Sequence, residues 1–181
     1  FFTVSTLLFL ISPLIAFFYS LRNYEKKWAK NVVWAFIVFF GYIIQIPHDS
    51  TSDSAVYRMH FWSYRFHPVN VYELFTNLYS DTQHIDIIEK SISSTLAQYT
   101  NNYHFLFLVY ALFFGFFYTR NLELLFINKN FDKSRSLFIL FLATAITIPF
   151  CTINGFDFYF VFQVFFFSFF FVLIKNEKKY L

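Results

Sequence analysis

The sequence predicts an all-α fold, that of a polytopic integral membrane protein with about five transmembrane helices plus amphipathic helices in a long extracytoplasmic loop. Three observations predict it. The composition is 57% hydrophobic and 14% charged, with the apolar residues gathered in long blocks. The 32 phenylalanines are more rings than one soluble core of 181 residues can hide, whereas a bilayer accepts them on every face of a helix. Finally, Lys and Arg alternate between dense and sparse loops: four fall in residues 22–30, four in 120–135 and three in 175–181, against three (Arg58, Arg65, Lys90) in the whole of 47–102. Cytoplasmic loops are the enriched ones. The N-terminus, the stretch 47–102 and the turn 151–157 are therefore expected to face outward.

Residues 1–21 carry no charge and match the ~20 residues that cross ~30 Å of hydrocarbon. Pro13 is expected to kink this first span, as membrane helices tolerate. A signal peptide is the competing reading, but no basic region precedes the segment and no small-x-small cleavage site follows it. A short basic loop, 22–30, leads to the second span, 31–46. The third span is expected at 103–119, the fourth at 136–150 and the fifth at 156–174, all within a single transmembrane domain, 1–181. The chain opens at Phe1 without Met and stops at Leu181 just after a basic cluster, and is expected to be a fragment of a longer protein.

The extracytoplasmic loop 47–102 is patterned. Val56, Met59, Trp62 and Phe66 recur at helical spacing, Pro68 offers the start of another helix, and Ile85, Ile88, Ile92, Leu96 and Tyr99 make an apolar stripe behind an Asp81 cap. Two or three amphipathic helices are expected to lie at the membrane surface, their polar faces roofing a site built from the span ends.

The net charge of +3 is small and forms no basic stripe with interleaved aromatics, which argues against nucleic acid. A single cysteine, Cys151, excludes an intramolecular disulfide and a multi-thiolate metal site. Four of the five histidines lie within 47–102, with His104 at its edge, but their spacing fits no metal motif. No metal and no cofactor are expected.

The chemistry is expected in two constellations. The first is His48 to Arg58. Asp49 and Asp53 are four apart, as are Asp53 and Tyr57, while Arg58 and Arg65 are seven apart. On one helix the two arginines would project about 10 Å apart and could grip a pyrophosphate or sugar-phosphate by bidentate bonds. A carboxylate beside them, Asp53 or Asp49, or the imidazole of His48, could take the proton of a sugar hydroxyl. The plainer roles are an N-cap for Asp53 and lipid head-group contacts for the arginines. The second constellation is the turn 151–157, where Gly155 permits unusual backbone angles and Asp157 stands at the mouth of a Phe-rich segment. A carboxylate at that depth is a functional candidate or a helix cap.

The order of a basic hairpin, a second span, an outward Asp53-x-x-x-Tyr57, a long helical loop, a span, a basic loop and an Asn154-Gly155-Phe156 turn resembles the EpsG-like branch of the Wzy-type exopolysaccharide, O-antigen and capsule polymerases. The resemblance covers the whole chain, as the N-terminal portion of such a protein, on short motifs. It implies a metal-independent, inverting glycosyltransferase of the bacterial inner membrane. At the outer face such an enzyme transfers a growing glycan from undecaprenyl pyrophosphate to a lipid-linked repeat unit. It also implies the bilayer, a flippase and a chain-length regulator as partners. Asp53, Tyr57, Asn154 and Gly155 match the family's motifs; Arg58 and Arg65 are assigned to substrate binding on physical grounds. The chain departs from the family where a basic residue usually ends the second span and where an Arg usually follows the Asn-Gly pair; Asp157 occupies the latter place. Two other readings compete: a polyprenyl-phosphate-sugar glycosyltransferase with its catalytic Asp in the first outward loop, and a non-catalytic polysaccharide transport subunit.

Overall fold

The computed structural model describes residues 2–46, 52–70, 72, 87–127 and 156–177, which form seven helices and no strand. The first two, α1 (Phe2–Ile11) and α2 (Pro13–Arg22), divide the expected first span. Proline disfavours a helical residue before it, and Ser12 is accordingly extended, at φ −153° and ψ 99°. Its hydroxyl accepts from the Ile15 amide at 3.4 Å, and Pro13 fills the first helical position, where the missing N–H costs nothing. Pro13 therefore starts a new helix instead of kinking a continuous one.

After the loop 23–26 comes α3 (Lys27–Ile43), which both preceding helices pack against: Phe9 meets Phe39, and Phe17 lies 4.6 Å from Phe36. The buried Tyr24 of that loop donates its hydroxyl to Thr119 O at 2.7 Å, and burial holds its phenol well above the usual range. Next is α4 (Asp53–Phe66). Ser52, not Asp53, stands at its N-cap position. Asp53 is in the first turn and Arg65 in the last, each at the end whose dipole charge it opposes. Residues 68–70 are irregular and Tyr72 is helical; the rest of the helix expected from Pro68 lies outside the described residues, and Ser94 holds the irregular stretch by accepting from Val69 N and donating to Val69 O, both at 3.1 Å.

That serine belongs to α5 (Ile87–Ala97), whose inward face is largely polar. The buried residues are Glu89, Ser93, Ser94 and Ala97, while Ile88 is 52% exposed and Tyr99, beyond the helix, 85%. Ile92 and Leu96 pack along the margin of the core. One position along a helix is about 100° of rotation, so the polar residues that follow the apolar stripe are the ones turned inward.

The longest helix, α6 (His104–Ile127), begins where Asn102 Oδ1 accepts from His104 N at 3.0 Å. It runs antiparallel to α3, joined by Lys30 and Glu123 at one end and by Gly41 against Phe107 and Ala111 at the other. A Cβ on Gly41 would stand 2.4 Å from Ala111 Cβ, so this crossing requires glycine. The last helix, α7 (Phe156–Glu177), packs on α6 through Phe160 and Phe167 against Phe117. A buried amide contact joins the same pair, with Asn121 Nδ2 donating to Gln163 Oε1 at 2.6 Å and to Gln163 O at 3.0 Å. The core thus collects on α6, around Leu106, Phe107, Tyr110 and Phe114, with Phe17, Ile37, Phe61 and Phe156 from its neighbours.

The all-α class stands among the described residues, but the expected polytopic architecture of about five transmembrane helices is corrected. One described helix is long and apolar enough to cross a membrane, at His104–Leu124 in α6. The first expected span is two helices of ten residues, each about 15 Å long. The second, α3, has 17 residues and carries Lys27 and Lys30. The fourth, 136–150, lies outside the described residues, and the fifth falls within α7, Phe156–Glu177, in which Tyr159–Ser168 is an apolar stretch among the described residues. Apolar content therefore overestimated span length, because Ser12–Pro13 and charged helix ends shorten the continuous apolar helices.

Candidate functional site

Helix α4 carries Asp53, Tyr57, Arg58 and Arg65 of the residues singled out in the sequence, and its inward face is set by Ser54, Ala55, Arg58 and Phe61. Arg58 is 2% exposed. A guanidinium is costly to bury unless its donors and charge are met. Here Nη1 donates to Ile46 O at 2.6 Å, and Cζ lies 5.3 Å from the Trp62 ring centroid and 5.8 Å from that of Tyr103. Trp62 is four residues on, so one helical face supplies both the cation and one of its aromatic partners. The carbonyl is the last before the segment leading into α4; Arg58 thereby ties the end of the α3 strand of chain to the second turn of α4.

Tyr57 points to the same cluster from the neighbouring face, its ring edge-on to Tyr110 at 5.8 Å. Tyr110 is the centre of the arrangement. Phe156, at the start of α7, stacks on it at 4.0 Å and 7°, and Phe107 meets it edge-on. Its hydroxyl lies 3.0 Å from Ser93 Oγ and donates to Glu89 Oε1 at 3.4 Å, while Ser93 Oγ donates to the same carboxylate oxygen at 2.7 Å. Glu89 is 1% exposed. Four helices, α4 to α7, thus bring a guanidinium, a carboxylate, an alcohol and two phenols together near the N-terminal end of α6.

Asp53 and Arg65 are exposed at opposite ends of α4, while Arg58 between them is buried. Tyr57 is half-buried. His48, Asp49, Asn154 and Gly155 lie outside the described residues, and Asp157 is described only as the second residue of α7. The sequence reading missed Glu89, Ser93 and Tyr110. The spacing Glu89-x-x-x-Ser93, which places acid and alcohol on one helix face, is the signal that points to them.

A carboxylate held by hydroxyl donors and a guanidinium fixed at the same end of α6 are groups that acid–base chemistry at an anionic leaving group uses. No family model, no curated protein and no solved structure matches the chain.

Proposed function

We propose that the chain is the membrane-embedded part of a glycosyltransferase of the Wzy-type, EpsG-like kind, which joins undecaprenyl-pyrophosphate-linked oligosaccharides into a surface polysaccharide. The observation that carries this reading is the convergence of Arg58, Tyr57 and Glu89 at one end of α6. Asp53-x-x-x-Tyr57 supplies the motif, and a positioned carboxylate and a fixed guanidinium are what transfer from a pyrophosphate to a sugar hydroxyl requires. In this reading Glu89 or Asp53 accepts the hydroxyl proton, Tyr57 lies against the glycan, and Arg58 faces the departing pyrophosphate.

A membrane setting is supported by the outer faces of the helices. Leu10 and Ile11 of α1 are 76% and 80% exposed, and Ile15, Phe113, Val161 and Phe165 on other helices are 46% to 62% exposed. An apolar exterior of this extent is an aggregation site in water and an ordinary surface in lipid. Helix α5 fits the same setting, with Ile88 exposed and Glu89 and Ser93 paired within.

Deleting the gene should convert the surface polysaccharide ladder on a gel to single capped units. Complementation with wild type should restore the ladder, whereas Glu89→Gln, which keeps shape and one acceptor oxygen, and Arg58→Ala should not, at unchanged membrane levels. An unaltered ladder in the deletion strain would refute the polymerase reading; normal chains from both variants would remove these two residues from its site.

A further inference from the structure

At the other end of the α3–α6 pair is an open pocket of about 210 Å³, lined on α3 by Lys30, Asn31 and Trp34 and on α6 by Phe116, Arg120 and Glu123. Arg120 is seventeen residues from Tyr103 in the chain, which is about 25 Å along a helix. The pocket is therefore remote from the Arg58–Glu89 cluster. Lys30 and Arg120 approach Glu123 from opposite helices, Arg120 through Nη1 to Oε2 at 3.0 Å. Glu123 meets one guanidinium nitrogen of Arg120, whose side chain lines the pocket and is 53% exposed, so that a guanidinium, with its five donors, is accessible there. The Arg120 guanidinium lies 5.6 Å from the Phe116 ring, and Trp34 donates to Leu112 O, which fixes the indole as a wall.

We propose that this pocket binds an anionic phosphate group, with Arg120 and Lys30 as its cations and the Asn31 amide as a further donor. Two cations against one carboxylate leave a net positive charge within the lining. Arg22, Lys26 and Lys27, opposed by Glu25, add to it at the same end of α3. A guanidinium matches a phosphate by its planar fork and an ammonium by its charge. Trp34 and Phe116 add an apolar wall, as the first methylenes of a lipid-linked phosphate require. The volume is below the ~300–1,000 Å³ of sites for drug-sized ligands, which selects a head group over a whole nucleotide or sugar chain. Glu123 is the internal competitor: it holds the two side chains in place while weakening the site for an anion.

The test uses the whole chain reconstituted in phosphatidylcholine vesicles, with Trp28→Phe and Trp62→Phe leaving Trp34 as the sole indole. Phosphatidylglycerol with brominated acyl chains should quench Trp34 several-fold more than brominated phosphatidylcholine at equal mole fraction. Arg120→Gln and Lys30→Gln should each abolish that excess, and Glu123→Gln should raise it. A merely structural ion pair predicts the opposite sign for Glu123. Inorganic phosphate added to phosphatidylcholine vesicles separates the sources: a saturable shift of Trp34 emission identifies a free phosphate as ligand, and its absence alongside the lipid preference identifies a head group. Native mass spectrometry of the wild-type chain, counting bound phosphatidylglycerol, repeats the comparison without tryptophan substitutions. Equal quenching by both lipids, no excess phosphatidylglycerol in the spectra and no response to phosphate would overturn the proposal.

Discussion

Glu89 is held by two hydroxyls that also contact one another, a closed triangle of Glu89, Ser93 and Tyr110 with sides of 2.7, 3.0 and 3.4 Å. In such a network the loss of one member strands the others in an apolar surrounding. Ser93→Ala and Tyr110→Phe should each cost about 1 kcal/mol. The double variant should depart from additivity by about 0.5–3 kcal/mol, as coupled neighbours do, read from thermal unfolding in detergent. Strict additivity would mean that the triangle is not a unit. At this scale the sequence was half legible. Tyr57 and Arg58 stood out because Asp, Tyr and Arg recur at helical spacing, and Arg58 proved buried. Glu89 did not stand out, because its significance comes from Tyr110, twenty-one residues away, and no local pattern reports a contact at that separation.

The helices themselves were more legible than their ends and faces. Charge-free blocks and helical periodicity located the second and third expected spans, which correspond to α3 and α6. The Ser12–Pro13 break was written in the sequence as a capping residue followed by proline, but it reads as a kink if the segment is assumed to span. On α5 the inward face is the polar one, opposite to the arrangement that water outside would impose. The α3–α6 crossing gives the clearest test at this scale. Gly41→Ala places a methyl 2.4 Å from Ala111 Cβ and 2.7 Å from a backbone oxygen, whereas Gly115→Ala meets Trp34 Cδ1 at 3.0 Å and Ile37 Cγ2 at 3.2 Å. Backbone cannot yield as a side chain can. Gly41→Ala should therefore cost about 1–3 kcal/mol, the range of overpacking, and Gly115→Ala distinctly less. Equal melting temperatures for the two variants would contradict this packing.

At the scale of the molecule, one apolar helix, α6, gathers partners from α3, α4, α5 and α7. Chemistry-bearing residues lie near one end of it and a cationic pocket lies near the other. That division was partly legible as the contrast between the sparse and dense distribution of Lys and Arg. The number of spans was not, because hydropathy measures composition and a crossing also needs unbroken length. The Asn121–Gln163 contact between α6 and α7 has a further consequence. The facing surfaces are rich in Phe113, Phe117, Phe160 and Phe167, and rings of one kind repeated at helical spacing fit each other almost as well after a slide of one turn, about 5.4 Å. An amide pair has a single matching position. Gln163→Leu should preserve melting behaviour within about 1 kcal/mol, as polar contacts between membrane helices average near 0.6 kcal/mol. Disulfide trapping between cysteines introduced along the two helices should nevertheless spread from one pairing to several. The two side chains would then serve as an address written once on an otherwise repetitive surface, telling α7 where to stop.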